Sequence, residues 1–100
     1  LISAIEDAAK QTGERVWHLP LPDEYRSQLD SNVADVKNIG SNWGGALTAG
    51  LFLKEFVSEE IPWAHLDIAG PAFADTAWGE HPKGGTGFGV RLLIDLVENF

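Results

Sequence analysis

The chain has 100 residues, 44% of them hydrophobic, which is enough for one modest core and excludes a reading as several domains. Fifteen acidic against seven basic side chains give a formal charge of −8 spread along the chain, which opposes binding to phosphate-rich nucleic acid and describes a solvated surface. No apolar run reaches the roughly 18 residues of a membrane span, no basic start leads into an apolar leader, and the absence of cysteine excludes disulfides and thiolate metal sites, so a cytoplasmic protein with no membrane partner is expected.

Leu1, Ile2, Ile5, Ala8 and Ala9 follow the three-and-four spacing of an amphipathic helix, and Gly13 stands where a helix stop belongs. The opening Leu1-Ile2-Ser3-Ala4 and the lack of methionine lead us to expect a piece of a longer chain, with the first helix beginning before Leu1. Residues 14–22 hold two prolines among apolar side chains and read as an ordered, extended connection. Pro22-Asp23-Glu24 suits a first helical turn, which predicts a short helix from Asp23 to Leu29.

Val33 to Ile39 carries the β-branched content of a strand, closed by Gly40 and the Ser41-Asn42-Trp43-Gly44-Gly45 turn. A helix is predicted from about Gly45 to Val57, with Leu47 and Leu51 on adjacent turns and a thin face made by Ala46, Ala49 and Gly50. Trp63 to Ala69 is predicted as a second strand with His65 and Asp67 on one face. Gly70 to Gly85 shows no period and reads as a long irregular loop, the place to look for a pocket wall. Thr86 is expected to cap a last helix whose apolar stripe is Val90, Leu92, Leu93, Leu96 and Val97. The fold class expected is α/β, a partial mixed sheet flanked by helices, with the remaining strands outside this sequence.

Three groups of residues invite chemistry. His65 and Asp67 pair an imidazole with a carboxylate, but a structural metal takes about four ligands and no third one accompanies them, so pinning of the backbone is the favoured role. Gly84-Gly85-Thr86-Gly87-Phe88-Gly89 enters a helix and offers backbone amides, yet it lacks the Lys-Ser/Thr ending of a phosphate loop and the dinucleotide spacing; pocket lining and tight packing both remain open. Ser41 sits in no Gly-x-Ser-x-Gly elbow, and a Ser41, His65, Asp67 triad rests on composition alone. His18 and His81 show no metal spacing, and Trp17, Trp43, Trp63 and Trp78 read as core and interface residues.

Three segments in order, Val33–Gly40 through Trp43–Ala49, Phe52–Val57 and Trp63–Gly70, resemble the C-terminal part of the leucyl (cytosol) aminopeptidase family. Gly13-Glu14-Arg15-Val16-Trp17 with Leu19-Pro20-Leu21, and the Lys83-Gly84-Gly85-Thr86-Gly87 turn, extend the resemblance over nearly the whole chain. It implies a metalloexopeptidase that removes N-terminal residues from peptides with two divalent metal ions, zinc or manganese. The family's ligands, a lysine and several carboxylates, lie partly in an Asn-Thr-Asp-Ala-Glu-Gly-Arg segment that is absent here, so no catalytic or metal residue is assigned within the chain and these are expected upstream. The resemblance places Gly85 and Thr86 near the pocket for the substrate's first side chain, and glycine at 85 in place of the family's alanine or methionine implies extra room. Gly87-Phe88-Gly89 departs from the family's Gly-Arg-Pro after the threonine. It further implies a homohexamer, with the rest of the same catalytic domain as partner of residues 1–100. Some bacterial relatives bind DNA, which the −8 charge opposes here. The expectation is therefore an aminopeptidase fragment inactive alone, and the alternative is a small self-contained α/β ligand-binding module.

Overall fold

The computed structural model describes all 100 residues, which fall into two compact units: Leu1–Trp17 with Leu66–Phe100, and His18–His65. Three α-helices, one 3-10 helix and one two-stranded sheet make this a mixed α/β chain. None of its helices is long and apolar enough to cross a membrane.

In the first unit, α1 spans Ile2–Thr12 and is built from strong helix formers such as Ala4, Glu6, Ala8, Ala9 and Lys10. It ends where the sequence predicts, because Gly13 takes the left-handed conformation (φ 75°) that a Cβ resists, and donates its amide to the Ala9 carbonyl at 3.0 Å. The apolar spacing puts Ile5, Ala8 and Ala9 on the buried side of α1, which packs against α3, Val90–Glu98, where Leu92 is fully buried. The expected α3 stripe is covered only in part: Val90, Leu93 and Val97 are exposed, with Val97 at 76%, because one partner helix covers one narrow face.

In the second unit, the 3-10 helix Asp23–Leu29 packs against α2, Gly45–Lys54, burying Leu29 and Leu51. Arg26 ties the two, donating Nε to Glu55 and Nη1 to Asp30 at 3.1 Å; the Glu55 hydrogen bond above all holds its guanidinium above its ordinary range. That contribution is present below the ordinary arginine value and lost only as pH rises through the raised one, so it is constant through neutral pH. The α2 helix stops three residues before the expected Val57, since the amides of Glu55, Phe56 and Val57 each reach back three residues instead of four.

The thin face of α2 does what its composition predicts. A Cβ at Gly50 would lie 3.1 Å from Leu21 Cδ1 and 3.6 Å from His65 Cδ2, so both side chains rest against the helix because that position has none. Gly40 is tighter still: a Cβ there would lie 2.9 Å from Cγ2 of the buried Thr48 and 3.2 Å from Gln28 Oε1. Gly40→Ala is expected to cost about 1–3 kcal/mol through overpacking, read as a lowered midpoint of denaturant unfolding.

Neither expected strand is paired within this chain. At Val33–Ile39 the Ser31 hydroxyl accepts from the amides of Val33 (3.2 Å) and Ala34 (3.1 Å), bending the chain locally, and Val33 is 96% exposed with no neighbouring strand. Trp63–Ala69 is likewise unpaired, because a ladder needs a second strand and this chain supplies none beside it. The sheet lies instead in the stretch predicted as an irregular loop: β1, Phe73–Ala74, pairs antiparallel with β2, Gly84–Gly85.

Candidate functional site

The β1–β2 hairpin is set by its turn. Trp78 and His81 exchange both backbone hydrogen bonds (3.0 and 2.9 Å) around Gly79-Glu80, and their rings lie 4.7 Å apart. The ladder then pairs Ala74 with Gly84 and Phe73 with Gly85, which brings the chain to Thr86.

Thr86 is fastened on three sides. Its amide donates to Ala72 O at 3.0 Å, its hydroxyl donates to Pro71 O at 2.6 Å, and the same oxygen accepts from Phe88 N at 3.2 Å. It is therefore a clamp within the turn and not the cap of α3. With its hydroxyl committed there and Gly89 in a left-handed conformation (φ 93°), the helix starts only at Val90. Gly85, beside this clamp, is exposed, and a Cβ there would meet no atom within 4 Å. The turn thus presents a hydrogen-bonded edge with no other part of this chain in front of Gly85.

The true cap of α3 comes from far away in sequence. Glu14, only 4% exposed, accepts from Gly89 N at 3.1 Å and Leu92 N at 2.9 Å. These are the donors that a capping box divides between two side chains of the helix itself; here one carboxylate takes both and places negative charge at the positive helix end. Arg91 Nε lies 3.8 Å from the same carboxylate, and Arg91 Nη2 is 3.8 Å from Glu80 on the hairpin turn. Sequence reasoning missed this role. The available signal was negative: α3 has no capping side chain and no acid in its first turn.

The remaining candidates do not assemble. Asp67 Oδ1 accepts from Ala69 N at 3.1 Å and so pins its own backbone, while the His65 ring stacks loosely beside Trp63, 6.4 Å between centroids, and rests against Gly50. The Ser41 hydroxyl donates to Trp43 O at 3.2 Å and closes its own turn. No three His, Asp or Glu side chains of this chain converge, so it forms no complete divalent centre by itself.

Residues 1–94 match the family model described as the cytosol aminopeptidase family, catalytic domain. A probable cytosol aminopeptidase of Aquifex aeolicus is 54% identical over 94 residues, which is 93% of this chain and 19% of that protein. Among solved structures, a tomato leucine aminopeptidase mutant superposes with a TM-score of 0.88 at 38% identity, covering 99% of this chain and 19% of that one. A bottromycin maturation enzyme, BotP, in complex with Mn superposes with a TM-score of 0.91 at 42% identity, covering 98% and 22%. The chain therefore spans about a fifth of the length of the proteins it matches.

Proposed function

Because the chain belongs to the cytosol aminopeptidase family, we propose that residues 1–100 are part of the catalytic domain of a metal-dependent leucyl aminopeptidase, supporting its fold and lining the pocket for the substrate's N-terminal side chain. The observation that carries this reading is the match of residues 1–94 to the catalytic domain of the family; the position at Gly85 beside the hydrogen-bonded Thr86, where a Cβ would meet no atom of this chain, supports its pocket part, since a bulky apolar side chain needs such room. The two divalent ions of the reading, zinc or manganese, are held by residues outside this chain, and the manganese named with the bottromycin enzyme supports their place in the whole enzyme.

The partner in this reading is the rest of the same catalytic domain. The exposed apolar side chains Val90, Leu93, Ile94 and Val97 of α3, with Trp17 at 86% exposure, support it, since a free surface of this kind favours burial. The reading extends to a cytoplasmic homohexamer acting on peptides, which native mass measurement of the full-length enzyme checks.

Substitution of Gly85 tests the pocket. Gly85→Met in the full-length enzyme is expected to lower kcat/KM for a leucine anilide at least about tenfold relative to an alanine anilide, since even one methylene more or less in an apolar side-chain pocket is worth roughly 10- to 200-fold. An unchanged leucine-to-alanine ratio overturns the pocket assignment. Titration of the 100-residue chain with manganese is expected to show no tight site, and two tight sites would contradict the placement of the metals elsewhere.

A further inference from the structure

Glu14 is a buried carboxylate to which the proposed reaction assigns no part, and its position relative to the pocket edge gives it one. It follows the Gly13 helix stop, so α1 fixes where its backbone lies. From there it holds Gly89 N and Leu92 N, and Gly89 is three residues from the Thr86 clamp and four from Gly85. Across that interval Val90 N, just beyond it, donates to Gly87 O at 3.1 Å and Phe88 N donates to the Thr86 hydroxyl, so the short link from the carboxylate to Thr86 carries hydrogen bonds of its own. The other side of Thr86 is anchored to Pro71 and Ala72.

We propose that Glu14 is a positioning residue for substrate selection: its carboxylate fixes the Gly87–Gly89 turn and through it the placement of Gly85 and Thr86 at the pocket edge. This rests on the pocket reading above. The two hydrogen bonds end on opposite sides of the helix entry, at the residue before α3 and at the third residue within it, so both the position and the tilt of the turn are held. An amide side chain of the same shape keeps one acceptor and turns a donor toward the other amide, which releases one of the two. A shorter carboxylate keeps both acceptors but draws them back by about one carbon–carbon bond, on the order of 1.5 Å.

The test uses the full-length enzyme with Glu14→Gln and Glu14→Asp, assayed on leucine and alanine anilides beside Gly85→Met. Glu14→Gln is expected to raise KM for the leucine substrate about five- to tenfold, with kcat within about twofold and a smaller change for alanine, because misplacing a binding edge by up to 1 Å costs up to about a hundredfold. Glu14→Asp is expected to recover part of the leucine preference. A purely structural role would lower kcat equally for both substrates, through loss of active enzyme, and leave both KM values unchanged; that result overturns the proposal. Failure of both variants to give folded enzyme also overturns it, because the carboxylate would then hold the fold as a whole and not the turn. If Gly85→Met leaves the leucine-to-alanine ratio unchanged while Glu14→Gln shifts it, the pocket edge lies elsewhere on the turn and positioning by Glu14 stands. If Gly85→Met shifts the ratio and Glu14→Gln does not, the pocket reading stands and the positioning role falls.

Discussion

Leu92→Ala is expected to lower the unfolding free energy of the full-length enzyme by about 2–5 kcal/mol, the range for removing a fully buried leucine and leaving a cavity. Leu92 has no exposed surface, and what covers it lies within the same unit, where α3 packs against α1 with Ile5, Ala8 and Ala9 on its buried side. The backbone around Leu92 cannot easily collapse into the space, because its own amide is held by Glu14 and the Leu93 amide by Gly89 O at 2.9 Å. A held backbone keeps the cavity open and moves the cost toward the upper end of the range. Leu93→Ala is the control. Leu93 is 49% exposed in this chain, so a loss as large as that of Leu92→Ala would show that the rest of the catalytic domain covers the outer face of α3. A loss within about 0.5 kcal/mol would mean that this face stays in water and would count against that partner. Denaturant unfolding of the three proteins side by side makes both readings.

What the sequence made legible is what local rules decide. The α1 helix and its glycine stop, the short helix after Pro22 and the thin face of α2 follow from spacing, proline position and side-chain size, all of which act within a few residues. The two expected strands are unpaired within this chain because β-branched content says only that a segment tolerates an extended backbone, and the remaining strands of the expected sheet lie outside residues 1–100. A strand exists when a second one pairs with it, and Val33–Ile39 has instead the Ser31 hydroxyl to bend it. The hairpin was hidden for the opposite reason. Phe73-Ala74 and Gly84-Gly85 are too short and too glycine-rich to show a period, and they pair because the Trp78–His81 turn and the Thr86 clamp bring them together. At the candidate site, the glycine-rich turn Gly84–Gly89 was legible as either pocket lining or tight packing, and the family resemblance singled out Gly85 and Thr86 within it. The role of Thr86 was then misread as a helix cap, since a hydroxyl before an apolar stripe looks the same whether it faces the helix or a neighbouring loop. Glu14 lay beyond local rules altogether: 75 residues separate it from the amide of Gly89.

That separation is why Glu14→Leu is expected to rank with the core truncation, at about 2–4 kcal/mol, although leucine is apolar and of similar length. The substitution adds no clash by size and removes the cost of burying a carboxylate. It leaves the amides of Gly89 and Leu92 facing an apolar side chain in a place that the buried Glu14 had shielded from water. An unsatisfied buried donor costs about 1–3 kcal/mol, and an acid lost from a helix N-terminus a further 0.3–1 kcal/mol or so. The relief of desolvation offsets part of that sum. Glu14→Gln, which keeps one acceptor, is expected to lose about half as much, so the order of stability should be Glu14, then Gln, then Leu. If leucine matched or exceeded glutamate, apolar packing at this position would matter more than the two hydrogen bonds. The carboxylate would then have no energetic hold on the start of α3, and its claim to place the Thr86 turn would fail with it. The stability series thus constrains, independently of any substrate, the same link that the kinetic comparison reads.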